Sequence, residues 1–228
     1  MRSVDVTIPV SADESVSGVL AVPEGFDHGR TAAVIVAHGA GNDMHAPLLV
    51  RFTEGLGRAG FLGLRFNFPY MEKGRKAPDS AEKLIRTWQA AFEFVRDHPE
   101  FGTPHIVAAG KSMGGRIASQ MAADGQLKAE ALVFLGYPLH PPGRKDQLRD
   151  AHLYRIEVPM LFFAGTRDTL CDLELLKPVV ARLKATAVLE VVEGGDHSFI
   201  LPKSLDISEV DVCEGILERT IAWLRQTI

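Results

Sequence analysis

Apolar and polar positions alternate near the start of the chain, where Val4, Val6, Ile8 and Val10 are separated by polar or turn-compatible residues. A period of two turns one side of a strand to the core and the other to water, so this segment reads as a half-solvated strand. Ser15 to Val22 is expected to return antiparallel to it. The pattern then changes. Ala32 to Ala37, Phe61 to Phe66, Ile106 to Ala109, Ala131 to Leu135, Met160 to Ala164 and Ala187 to Val192 are nearly unbroken apolar runs bounded by glycine or proline. Runs of this kind suit strands covered on both faces.

Between the runs the apolar spacing lengthens to the helical period. The clearest case is Ser80 to Arg96, where Leu84, Trp88, Ala91, Phe92 and Val95 share one face behind a Ser80 N-cap. That stripe is core packing. Helices are also predicted over Leu48 to Ala59, Gly114 to Ala123, Leu173 to Lys184 and Val210 to Arg225, the last opened by Ser208-x-x-Asp211. Pro178 is expected to break or kink the third of these, because it lacks an N–H and crowds the preceding turn.

Alternating strands and helices with short connections require right-handed crossovers. The predicted fold is therefore α/β: a mostly parallel central sheet of about eight strands, helices on both faces, and an antiparallel N-terminal edge. Ligands in such sheets bind at the C-terminal ends of the strands.

Composition narrows the picture. A chain of 228 residues, 46% hydrophobic and 24% charged, fits one domain spanning 1–228, and no repeat or Ser/Gly-rich linker divides it. A net charge of -4 leaves no basic surplus for a phosphate backbone, so no nucleic-acid partner and no membrane-surface role are expected. Asp5 interrupts the first apolar run, which argues against a signal segment and for a cytoplasmic location. Cys171 and Cys213 are far apart and lack metal-ligand spacing, so they read as reduced thiols, with no disulfide, metal or other cofactor implied.

The chemistry concentrates in one turn. Ile106-Val107-Ala108-Ala109 leads into Gly110-Lys111-Ser112-Met113-Gly114-Gly115, and a helical pattern follows. A strand that turns abruptly into a helix forces strained angles on the turn residue, and side chains two positions either side would collide. Gly110 and Gly114 remove them, leaving Ser112 exposed at the sheet edge as a candidate nucleophile.

Serine needs a base, and the base needs an acid to fix its tautomer. After the run Met160 to Ala164, Gly165-Thr166-Arg167-Asp168 places Asp168 just past a strand end. After Ala187 to Val192, Glu193-Gly194-Gly195-Asp196-His197 brings a histidine back on a glycine-rich loop. Alone, each would read as a turn or surface residue. Following an elbow in the order Ser, Asp, His, they become the orienting acid and the general base. Asp172, Glu193 and Asp196 are lesser acid candidates.

Met113 N–H is the expected first oxyanion donor, and the loop His38-Gly39-Ala40-Gly41 supplies the second through Ala40 N–H. His38 itself reads as structural. Candidate pocket residues are His45, Tyr70, Met71 and His140, with Pro138 to Gly143 as a stiff rim. Lys111 and Arg167 are flanking basic residues that do not by themselves indicate an acidic substrate.

Together the segments His38 to Gly41, Phe66 to Tyr70, Gly110 to Gly115, Gly165 to Asp168 and Gly195 to Phe199 resemble those of small serine-nucleophile α/β-hydrolases. The branch is one akin to dienelactone hydrolases. The resemblance implies an α/β-hydrolase fold and acyl chemistry. Dienelactone hydrolases proper carry cysteine where this chain has Ser112, so a lactone substrate does not transfer. Gly136 to Pro159 leaves little room for the large cap of other relatives.

The resulting expectation is a serine hydrolase acting on a small-molecule ester or thioester, as a monomer or small homo-oligomer. Two alternatives stay open: a non-catalytic interaction protein on a hydrolase scaffold, and amide cleavage, acyl transfer or perhydrolysis by the same three residues.

Overall fold

The computed structural model describes all 228 residues. Strands β1 (Arg2–Ser11) and β2 (Glu14–Val22) form an antiparallel hairpin at one edge. The remaining strands are β3 (Ala33–Ala37), β4 (Leu62–Phe66), β5 (Ile106–Lys111), β6 (Ala131–Leu135), β7 (Met160–Gly165) and β8 (Ala187–Val192). They build one eight-stranded sheet in the order β1-β2-β4-β3-β5-β6-β7-β8. β2 also pairs antiparallel with β4, while β4-β3-β5-β6-β7-β8 is parallel throughout. The chain therefore steps outward from β3 to β4 and then crosses back to β5. That reversal separates the loops leaving β3 and β5 and opens a crevice between them.

Helices α1 (Pro47–Arg58) and α6 (Glu209–Thr227) cover one face. α3 (Ala81–Asp97), α4 (Met113–Ala123) and α5 (Leu173–Ala181) cover the other, and α2 (Pro69–Glu72) is a single turn after β4. Along β3, Ala33, Ile35 and Ala37 join the core under α3 and α4, whereas Val34 and Val36 join the core under α1 and α6. Both faces being dry explains the unbroken apolar runs. Fully buried Trp88, Phe52 and Phe162 are among the largest anchors, each side chain of this kind contributing roughly 1.5–3 kcal/mol.

Four details differ from the sequence pattern. β8 is only half buried along its whole length, because it is an edge strand paired solely with β7. Pro178 lies inside α5 without breaking it at that point, but the helix ends at Ala181 instead of reaching Lys184. The turn α2, begun by Pro69, was too short to show a period. At the N-terminus, the first strand starts at Arg2, two residues earlier than the alternation suggests. Other features follow the pattern closely. Ser80 caps α3 through Lys83 N–H, and Ser208 and Asp211 form a reciprocal capping box on α6. Between Gly136 and Pro159 there is only a 3-10 turn at Leu153–Arg155, so no cap domain covers the sheet edge. No helix is long and apolar enough to cross a membrane.

Candidate active site

β5 runs into α4 through one residue, Ser112, at φ 49° and ψ -112°. This left-handed region is costly for a residue with a Cβ and persists only where packing over-determines it. Here it does. Ser112 N–H donates to Leu135 O at 3.3 Å, Arg116 N–H to Ser112 O at 3.0 Å, and the Trp88 indole N–H to Gly114 O at 3.1 Å. A Cβ at Gly114 would lie 2.6 Å from the carbonyl oxygen of Ala37, so only glycine lets α4 start this close to the end of β3. At Gly110 the same atom would run into the backbone of Gly114 and Gly115.

Two neighbouring strand ends deliver the other groups. His197 Nε2 lies 2.8 Å from Ser112 Oγ, and its Nδ1 lies 2.8 Å from Asp168 Oδ2. The partners assign the tautomer: Nδ1–H donates to the carboxylate, leaving Nε2 to accept from the serine hydroxyl. The Asp168 side chain has no exposed surface, and its other oxygen accepts the Leu170 N–H at 2.7 Å. His197 sits on a loop that folds on itself, because Asp196 Oδ1 accepts the N–H groups of Ser198 and Ile200 at 2.8 and 2.9 Å.

The lesser acid candidates are engaged elsewhere. Asp172 caps α5 and pairs with Lys145, which together hold its carboxyl below the usual range. Asp196 is committed to its loop, and Glu193 accepts from the Thr166 hydroxyl at 3.4 Å.

Ala40 and Met113 line one cleft with Ser112, of about 350 Å³. The Ala40 N–H has no acceptor within the chain, and the Met113 N–H opens α4, where no intrahelical acceptor exists. Buried His38 braces this loop. Its Nδ1–H donates to Gly39 O at 2.8 Å and its Nε2 accepts the Phe68 N–H at 3.0 Å, while desolvation lowers its pKa.

The expected pocket residues are placed otherwise. Tyr70 is fully buried, donates its hydroxyl to Gly39 O at 3.3 Å and has its pKa pushed up to about 12 by burial. It braces the His38 loop instead of facing the cleft. Buried His140 accepts the Asp172 N–H at 3.2 Å and so ties its loop to the start of α5. Met71 packs half-buried against the core on α2, and His45 is a residue of the loop before α1 outside the cleft lining. The proline rim does reach the cleft, through Pro138 and Pro142. The sequence reading missed Arg116, Arg149, Asp79 and Leu170 in that lining. Only Arg116 had a signal available, its position one helical turn beyond Ser112.

Lys111 points to the opposite side of the elbow. It is buried, donates from Nζ to the His197 carbonyl at 2.6 Å, and rests 5.7 Å from the centre of the Phe199 ring. Desolvation pulls its pKa down to about 8, with Asp168 and Asp196 acting in the raising direction. It borders a second hollow of about 300 Å³ between the starts of α1 and α6 and the histidine loop, where Leu49, Phe199, Val212 and Cys213 line the wall. Arg167 is on the surface, donating to Gly194 O at 3.3 Å.

A parallel sheet that reverses its strand order at an elbow serine, with a histidine and a buried carboxylate arriving from later strand ends, defines the hydrolase class. The chain belongs to the alpha/beta hydrolase domain family, whose model matches residues 30–225. Solved structures agree on the fold. It is similar to a dienelactone hydrolase from Anabaena variabilis, with 19% identity, a TM-score of 0.76, and coverage of 100% of this chain and 98% of that one. An α/β serine hydrolase homologue from Coxiella burnetii matches with 19% identity and a TM-score of 0.73, over 96% and 98% of the two chains. A serine hydrolase without a lid, from Xanthomonas campestris, matches with 20% identity and a TM-score of 0.67, over 87% of each.

Proposed function

We propose that the protein cleaves a carboxylic ester or thioester through an acyl-enzyme, with Ser112 as nucleophile, His197 as general base and acid, and Asp168 as the group that orients the imidazole. One observation carries this reading: the continuous chain from Ser112 Oγ to His197 Nε2 and from His197 Nδ1 to Asp168 Oδ2, each step 2.8 Å. Both are within the reach a proton transfer requires.

The serine proton passes to Nε2 as Oγ adds to the carbonyl carbon. Negative charge then moves to the carbonyl oxygen, where the Ala40 and Met113 N–H groups and the N-terminal end of α4 favour it. Each such donor lowers the barrier by about 3 kcal/mol. Collapse of the adduct expels the alcohol or thiol, which takes the proton back from His197. Water repeats the sequence on the acyl-serine and releases the acid.

The test is labelling with a fluorophosphonate, together with turnover of nitrophenyl esters of increasing acyl length, beside Ser112→Ala. Labelling and turnover that depend on Ser112 are expected. A chain that neither labels nor turns over any ester would leave the scaffold without this chemistry, as in the non-catalytic alternative.

A further inference from the structure

Three charged side chains line the Ser112 cleft: Asp79, Arg116 and Arg149. Asp79 pairs through one carboxylate oxygen with Arg75, which lies outside the cleft lining, and its other oxygen is buried without a partner, so the cleft holds one acid against two arginines. The arginines differ. The guanidinium of Arg149 makes no hydrogen bond or ion pair within the chain, although its backbone is pinned on both sides. Its N–H donates to Leu139 O at 2.7 Å, and its carbonyl accepts the Tyr137 hydroxyl at 2.7 Å. Arg116 has only a long contact to the neutral Gln120 amide, at 3.4 Å, and no carboxylate partner. Desolvation and the charge of Arg149 both push its pKa down.

The helix adds to the mismatch. Arg116 lies in the first turns of α4, one helical turn (about 5.4 Å of rise) beyond Ser112, where the macrodipole already disfavours a cation. No acidic residue occupies that first turn. The chain as a whole carries a net charge of -4, yet it gathers two unpaired guanidinium groups and a helix N-terminus into one concavity beside the serine. Such an arrangement is unfavourable alone and is relieved by a bound anion.

Resting on the hydrolase reading above, we propose that Arg116 and Arg149 form an anion subsite, so that the esters this protein prefers bear a carboxylate or phosphate a short spacer away from the scissile carbonyl. The oxyanion is what the two forks recognise, and the experiment separates its sources.

Turnover is compared within two series. One varies the leaving group at constant acyl chain: 4-acetoxybenzamide, 4-acetoxybenzoate and 4-acetoxyphenyl phosphate. The other places the charge on the acyl side: monoethyl adipate against ethyl hexanoate. In at least one series the acidic ester is expected to exceed its neutral counterpart in kcat/KM. That ratio should fall by at least about tenfold in Arg116→Gln/Arg149→Gln, the loss expected for charge-assisted bonds. Arg144→Gln, which removes the same charge outside the cleft, should leave the ratio in place.

A second readout needs no catalysis. Adipate and inorganic phosphate are titrated by calorimetry into Ser112→Ala, with and without the two arginine substitutions. Binding of either anion that weakens at least about tenfold when the arginines are replaced supports the subsite, and which anion binds identifies the source. Neutral esters turned over with no acidic preference, or a preference indifferent to both arginines, would overturn the subsite while leaving the hydrolase intact. Absence of serine labelling together with arginine-dependent anion binding would overturn the hydrolase reading and keep the subsite.

Discussion

Two hollows meet at the elbow, one on each side of Ser112, and each contains basic groups. In the rear hollow, which exposed Arg51 and Glu209 also line, the ammonium of Lys111 at the elbow is spent on the His197 carbonyl, 2.6 Å away, and is covered by Phe199. In the front cleft Arg116 and Arg149 have no acidic partner. The contrast separates a charge that holds the protein's own loop from charges left over for something else. Adjacent positions in sequence, 111 and 112, thus serve opposite sides of the sheet edge, one as a strut and the other as the proposed nucleophile.

The largest expected effect comes from the front. Ser112→Ala should lower kcat on the order of 10⁴-fold or more, with the fold intact by circular dichroism. Ester turnover that persisted at the wild-type level would place the chemistry elsewhere and dissolve the distinction between the hollows.

Next is the turn that separates them. Gly114→Ala would force a Cβ to within 2.7 Å of the His38 carbonyl oxygen, a backbone atom that cannot swing aside. A loss of about 3 kcal/mol in unfolding free energy is expected, read from denaturant midpoints.

Lys111→Met tests the strut. Freed of the bond to its carbonyl, the His197 loop should lose alignment, and kcat should fall about tenfold while KM changes little. Stability should respond differently. Burial pulls the Lys111 pKa from 10.5 down to about 8, so between those two pH values the unfolded chain binds more protons than the folded one. The folded state therefore gains stability from this group as pH rises through that window, by on the order of 3 kcal/mol in total. The buried thiol of Cys171, pushed up from 9.0 to about 12, acts in the opposite sense above its ordinary value, but it is common to both proteins. The difference between wild type and Lys111→Met, measured by denaturant titration from pH 7.5 to 10.5, should isolate the lysine. A difference that is flat with pH would mean the ammonium is not desolvated as its burial implies.

The smallest effect lies at the far wall of the rear hollow. Ser208→Ala removes the cap of α6 and should cost about 1 kcal/mol in stability. Ester turnover should be unchanged, because this wall touches none of the three residues proposed for the chemistry. A matching fall in kcat would tie the rear hollow to the chemistry after all.

Much of the fold was legible because its causes are short-range. Apolar runs of four to six residues mark strands with two dry faces, and only β8 departs, since edge position depends on strand order and not on the strand's own residues. The reach of α5 past Pro178 was likewise not readable locally. Within the site, Ser112 was readable because strand, glycine and helix are contiguous. His197 and Asp168 were readable because chain order restricts the search. The pocket was not: Tyr70 and His140 carry polar groups that look available in sequence and are consumed by backbone partners in space.

The sequence by itself determined the elbow, the alternation of strands and helices, and which three side chains are candidates for one another. It did so because steric demands and hydrophobic period act over a few residues. Only the tertiary structure decided that the separation from Ser112 Oγ to Asp168 is bridged by His197, that Lys111 is occupied, and that Arg116 and Arg149 are not. Whether a buried charge has a partner can depend on a segment far along the chain, as with Lys111 and His197, 86 residues apart. Burial sets the strength of each such pairing, and neither distance nor burial can be summed from local preference.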